Sequence, residues 1–446
     1  MKTYDYQYAY AISIDEVNDM LKRNLAAVPM RMQFSTTDGD TGSKISLNAE
    51  LSPWSIVRGG QNTLLRVNVP ISQGRLTLEG GAITGDYDLA TVSVIVEIRL
   101  GWIGAGTQQE AQGASGHTQL IFEPSEAQGQ DSPGNVSVIK PIDPNKKLDP
   151  VASALLQSYF ASALRTNKEA LKYILANVNP APASVASWLN PKRWNYYYTE
   201  TSSAAALCFL CMLDDTPLPS PKFDSTSLDS KSNVTVLVSQ ETFFNHVVLP
   251  GVEAAFPSAS FSLSCTNDQC AITNQHSFDF EKVTVNNFEI RTSHDGNGLS
   301  CNASGGGPLK FLFGLANLPD ASYWWSVGTV NPLVFKDPAV SFAEDPNPKL
   351  AHDQTVYWYD WILLAVVGIA NAVGLASTIY DLVNHFSDGV NKTGMSSINS
   401  HIQKATGGNI ASLSNLLAWR GDARHFVAHT AGLNGAFYVQ GTYRST

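Results

Sequence analysis

The residues best equipped for chemistry are few. His425 and His429 stand i, i+4, the spacing of a helical zinc pair, but they sit in strand-like sequence without the Glu of an HExxH motif, so structural or surface histidines are the preferred reading. Asp38 and Asp40 lie in a Gly/Thr loop that could hold calcium, yet the Glu that closes an EF-hand is missing and a turn is favoured. The run Gly39-Asp-Thr-Gly-Ser-Lys44 is too short for a Walker loop, and no Gly-x-Ser-x-Gly is present. With no activated nucleophile and no metal-ligand pattern, the expectation is a protein that is not an enzyme and uses no cofactor.

Aromatic clusters are more prominent. Tyr196-Tyr197-Tyr198 and Trp324-Trp325 could serve as base-stacking or sugar-binding platforms, but among alternating strands they read as core or groove-lining side chains. A net charge of −10 without a basic stripe argues against nucleic acid and against a purely electrostatic hold on anionic membranes. The first residues lack the basic start and apolar run of a Sec signal, which implies a soluble chain, cytoplasmic or released by another route. Of five cysteines, Cys208 and Cys211 lie in an apolar run and read as small buried hydrophobes. Cys265 and Cys270 could bridge a hairpin, but Cys301 would then be left over and no export signal points to an oxidising compartment, so free thiols are favoured.

The elements that must position these residues are mostly strands. Strand-like Gln7 to Ile12 runs into a helix with Ser13 as N-cap and Glu16 completing a capping box, and Ile14, Val17, Met20, Leu21 and Leu25 share its apolar face. In the stretch Thr91 to Trp102, Val92, Val94, Val96, Ile98, Leu100 and Trp102 fall on one face, which predicts one long strand in a strongly curved sheet. Asp149 and Pro150 open a helix with the stripe Val151, Leu155, Leu156, Tyr159, Phe160 and Leu164, and a second helix is expected from Lys168 to Val178. The opening then recurs: VTVLV leads to a Ser cap at Ser239, an acidic first turn at Glu241 and an apolar helix. Two such starts about half a chain apart suggest two related modules, residues 1–225 with the helix pair 149–178 and residues 226–446 with a Gly/Ala-rich helix at 361–386.

The segment Trp361 to Tyr380 carries no charge and just reaches spanning length, but Asn371 at its centre, its many small residues and the flanking Asp360 and Asp381 favour a buried helix over a constitutive membrane anchor.

Four stretches, YAYAISIDEVNDML, VLVSQETFFNHVVLPGV, WILLAVVGIANAVG and AWRGDARHFVAHTAGLNGAFYVQG, occur in an order and spacing over nearly the whole chain that resembles the tubular lipid-binding (TULIP) superfamily. Within it, the likeness is to the forty-seven-kilodalton companion-protein family of orfX-type botulinum neurotoxin gene clusters. The resemblance implies an α+β fold in which long helices are wrapped by highly curved antiparallel sheets around an apolar groove. It implies a non-enzymatic binder of lipid or another elongated apolar ligand, accessory to a bacterial toxin system, with phosphoinositide binding implied for some relatives. The family supplies no catalytic residues to carry over. The chain departs from lipid carriers in its small-residue helix, which can leave the groove closed. The alternative is therefore a structural or interaction protein that docks to a toxin or sister proteins with its groove filled. Val92, Val94, Val96, Ile98, Leu100, Trp102, Leu156 and Phe160 are the expected groove lining.

Overall fold

Tyr8–Ser13 and Val234–Ser239 each end on a serine whose hydroxyl accepts a backbone N–H of the following turn, Glu16 in one case and Thr242 in the other. In the computed structural model these two strands lie side by side, antiparallel, with Tyr8 opposite Val238 and Ile12 opposite Val234. The structure describes residues 1–26, 28, 30–103, 118–124, 133–178, 186–228, 231–266, 269–280, 283–308, 321–356, 372–419 and 424–444. The recurring openings occupy the middle of a six-stranded sheet in the order Arg193–Glu200, Ala205–Met212, Tyr8–Ser13, Val234–Ser239, Ala436–Arg444 and His425–Asn434. Strands from the start, middle and end of the chain thus share one hydrogen-bonded layer.

A seven-stranded sheet built around the long strand Leu64–Glu79 follows the first opening, and an eight-stranded sheet built around Val283–Thr292, Gly298–Pro308 and Ser322–Lys336 follows the second. Each sheet packs on helices through the alternate residues that the period-two pattern turns inward. Against the eight-stranded sheet lies Gln240–Phe243, which runs through a π-helical stretch Phe244–Val248 into Leu249–Ala255, and Ala372–Asp388, which runs through Gly389–Gly394 into Met395–Thr406. The two composite helices cross closely at Gly251. A Cβ there would lie 2.7 Å from the Ile398 Cα, so only glycine permits the approach.

The first helix, Ile14–Leu25, buries the five apolar residues its spacing predicts, but its capping box forms only by half. The Ser13 N–H donates to the Asn233 carbonyl at 2.8 Å. The Glu16 carboxylate, buried at the seam between the halves of the chain, instead pairs with Arg424 and accepts from Asn233 Nδ2. A neighbouring strand has taken over the backbone donor that the glutamate would have satisfied.

The helix pair expected over 149–178 is one helix. Pro150–Thr166 forms, but the next helical segment stops at Lys168–Leu171, and Tyr173–Val178 is a strand paired with Thr118–Phe122 and Leu417–Trp419. Its aromatic and β-branched residues gain more from ladder pairing on both edges than from a helix with nothing to cover it. Val151 is also not part of the buried stripe. The packed face is centred on Ala152, Leu156, Phe160 and Ala163, and Val151 lies about 100° round from Ala152, exposed.

The start and the middle of Pro150–Thr166 are tied down by tyrosine–carboxylate bonds. Tyr87 donates to Asp149 at 2.6 Å and Tyr159 donates to Asp38 at 2.7 Å. The Tyr159 bond, helped by Thr41, holds the Asp38 carboxyl below the usual range, and the Ala152 N–H with Tyr87 does the same for Asp149. A folded pKa below the unfolded one stabilises the fold fully above the unfolded value, about 3.9, and that contribution is lost as pH falls through the folded pKa. Melting temperature should therefore drop on going below about pH 4, and Asp38→Asn should flatten that acid limb in a pH series of thermal melts. An unchanged limb would show that the bond does not persist in solution.

Candidate functional site

The expected groove residues are all buried. Val92, Val94, Val96, Ile98 and Leu100 are each at most 3% exposed, and like Leu156 and Phe160 they belong to the apolar core that runs through both halves of the chain. The stretch is not one strand, however. Ser93–Arg99 belongs to the seven-stranded sheet and Gly101–Ile103 to a separate four-stranded sheet, with Leu100 at the join. There the Leu100 N–H donates to the Tyr196 hydroxyl at 2.8 Å, which itself donates to the Thr63 carbonyl at 2.6 Å. Burial pushes this phenol well above its ordinary pKa, so it stays protonated as the relay requires. A strand that changes sheets must leave its ladder, and the side chain fills the gap.

Beyond the join, Trp102 meets other rings of the chain itself. Trp194, Tyr196 and Phe209 surround it with centroids 6.3–6.4 Å away, and Phe209 stacks edge-on against Tyr10 and Trp419. The second half has a counterpart that pattern reading did not assemble. Phe256 lies among Phe261, Phe278, Phe280, Phe288 and Phe386, and Phe386 packs on Trp325 at 4.9 Å. Each ring sat at a visible inward position, but nothing in one strand's alternation says that six strands and helices converge. The larger surface cavities, of about 1010, 770 and 620 Å³, are lined by mainly polar side chains and include none of the eight expected groove residues.

The remaining candidates resolve into structure. Asp38 caps its own turn by accepting Thr41 N–H and Oγ–H. His429 pairs with the Thr442 hydroxyl at 2.7 Å on a strand, and among the described residues no group of three or more His, Cys, Asp or Glu is placed to hold a metal. Cys208, Cys211 and Cys301 are buried free thiols whose pKa values burial raises. Cys265 and Cys270, against expectation, form a disulfide, because the hairpin register sets them directly opposite each other. Tyr196, Tyr198 and Trp325 are buried and Tyr197 half-buried, but Trp324 points outward, half exposed. Of the Trp361–Tyr380 segment, residues 361–371 lie outside the described residues. Ala372–Asp388 buries Leu375, Ile379, Val383 and Phe386, and no described helix is long and apolar enough to cross a membrane.

The sequence profile of the OrfX-like family, Protein OrfX2/OrfX3/P47, matches residues 4–294. The chain belongs to this OrfX-like family. Protein OrfX3 of Clostridium botulinum (strain Kyoto / Type A2) is 20% identical over 298 residues, 61% of this chain and 58% of that protein. The chain therefore spans little more than half the length of this curated relative. The structure of P47 from Clostridium botulinum A2 superposes with a TM-score of 0.69 at 21% identity, covering 99% of this chain and 98% of that one. P47 of Clostridium botulinum E1 superposes at 0.68 with 18% identity, covering 99% and 100%. At these identities the likeness is one of fold, an arrangement of helices packed on extended antiparallel sheets.

Proposed function

We propose that this OrfX-like chain is a non-enzymatic accessory protein of a toxin gene cluster that works by docking to sister proteins, its wrapped interior filled by its own side chains. The observation that carries this reading is the burial of Val92, Val94, Val96, Ile98, Leu100, Trp102, Leu156 and Phe160 against other side chains of the same core. We also read residues 1–225 and 226–446 as two related modules, a reading supported by the two strand–serine–helix openings paired at the centre of the shared sheet.

One feature favours lipid or another apolar ligand instead. Trp54, Trp194 and Trp325 are buried, and their indole N–H groups face no acceptor among the described residues. A ligand carbonyl inside the wrap would satisfy such donors. Val96→Trp separates the two readings. Val96 lies opposite Val67 and Val138 on its neighbouring strands, so in a filled interior the indole overpacks the core and costs about 1–3 kcal/mol in thermal melts. Lipid extraction and native mass spectrometry should then find no bound lipid in the wild-type protein to lose. Stoichiometric lipid in the wild type that disappears in a Val96→Trp protein of normal stability would replace docking with carriage.

A further inference from the structure

The outward face of the eight-stranded sheet forms a polar trough unconnected with the interior. Strand register arranges it as a grid. Thr273, Glu289, Asn302, Gly328 and Lys349 lie side by side across five strands. The next row is Asn287, Ser304, Ser326 and Ala351, and the row beyond is Gly306, Trp324 and Asp353. A depression of about 620 Å³ lies over the first two rows. Along Ser322–Lys336 the floor of the depression is Ser326 and Gly328, and just beyond its lining on the same face stand Trp324 and Val330, which are 51% and 48% exposed. Their separation is about 20 Å at ~3.3 Å per residue.

Two features fix the chemistry of what this face accepts. Trp324 is left uncovered because its cross-strand neighbour on one side is Gly306, which has no side chain to lie over the ring. The surrounding groups are amides and hydroxyls, and the few charges balance, with Glu289 and Asp353 against Arg291 and Lys349. Such a surface attracts neither phosphate nor an anionic membrane. An extended peptide cannot add as a strand on the trough floor, because Ser322–Lys336 is hydrogen-bonded on both edges, to Gly298–Pro308 and to Lys349–Thr355. What fits is a neutral ligand with many hydroxyls and a C–H face to lay on an electron-rich ring.

We propose that this trough binds a neutral oligosaccharide, with Trp324 as the stacking platform and Asn287, Asn302, Ser304 and Ser326 as hydrogen-bonding partners. The test is a printed array of neutral and anionic glycans probed with the full chain, followed by calorimetric titration of the neutral oligosaccharide that binds best. Trp324→Ala should weaken that binding about tenfold, since one stacking contact is worth about 1.4 kcal/mol at that ratio. Gly328→Val should weaken it similarly by raising the floor. A Cβ there meets Asn302 Oδ1 at 3.4 Å and the Lys349 Cβ at 3.8 Å, both side-chain atoms, so the branch point is accommodated without moving backbone. Tyr380→Ala, at an exposed aromatic on a helix outside the grid, should leave the titration unchanged, and all three variants should melt like the wild type. A silent array, a hit that survives both trough variants, or a preference for anionic vesicles that Trp324→Ala abolishes would each overturn the proposal.

Discussion

Leu156→Asp is expected to lower the melting temperature by roughly 10 °C, or to leave the protein insoluble, while Val151→Asp one and a half turns earlier leaves it nearly unchanged. Leu156 is 1% exposed at the centre of the packed face of Pro150–Thr166, whereas Val151 is 42% exposed. The first substitution removes a buried isobutyl group and places a carboxylate in the apolar core. The combined cost is about 4 kcal/mol or more. The second changes a solvated side chain near the start of the helix, where added negative charge is tolerated by the helix dipole. Thermal melts of the two variants in parallel measure the contrast. Equal, small shifts would mean that this helix lies on the sheet without entering the core.

The second large effect concerns the seam between the halves. Glu16 and Arg424 form an ion pair with side chains only 7% and 12% exposed, and the guanidinium also lies over the Tyr443 ring. Arg424→Ala leaves the carboxylate buried with Asn233 as its remaining partner among the described residues, which should cost about 3–5 kcal/mol. Adding Glu16→Gln removes the orphaned charge, and the double variant should recover more than half of the loss. Chemical denaturation of the four members of this cycle gives the coupling directly. If the two single variants simply add, the pair is not coupled and the seam is held by its apolar contacts.

Much of this was legible in the residues. The period-two runs placed Val92, Val94, Val96 and Ile98 on one buried face, and the Ser13 and Ser239 caps located both helix starts, because capping and alternation depend on neighbours a few residues away. The strand Tyr173–Val178 was misread as helix because its short apolar run fits either period until its partners, Thr118–Phe122 and Leu417–Trp419, are in place. The Cys265–Cys270 bridge turned on strand register, which cysteine arithmetic does not contain. The outward Trp324 beside the buried Trp325 follows from alternation alone, but its exposure depends on Gly306 arriving opposite it from another strand.

By itself, then, the sequence determined which residues turn inward, where helices begin and what family the chain resembles, since those depend on local spacing and on the order of short motifs. Only the tertiary structure decided that Glu16 serves Arg424 instead of its own helix, that the long alternating run passes between two sheets at Leu100, and that rings from distant strands meet around Trp102 and Phe256. These outcomes pair groups on different elements, as far apart in the chain as Glu16 and Arg424. The free energy of each pairing depends on partners and burial that no local window of sequence specifies.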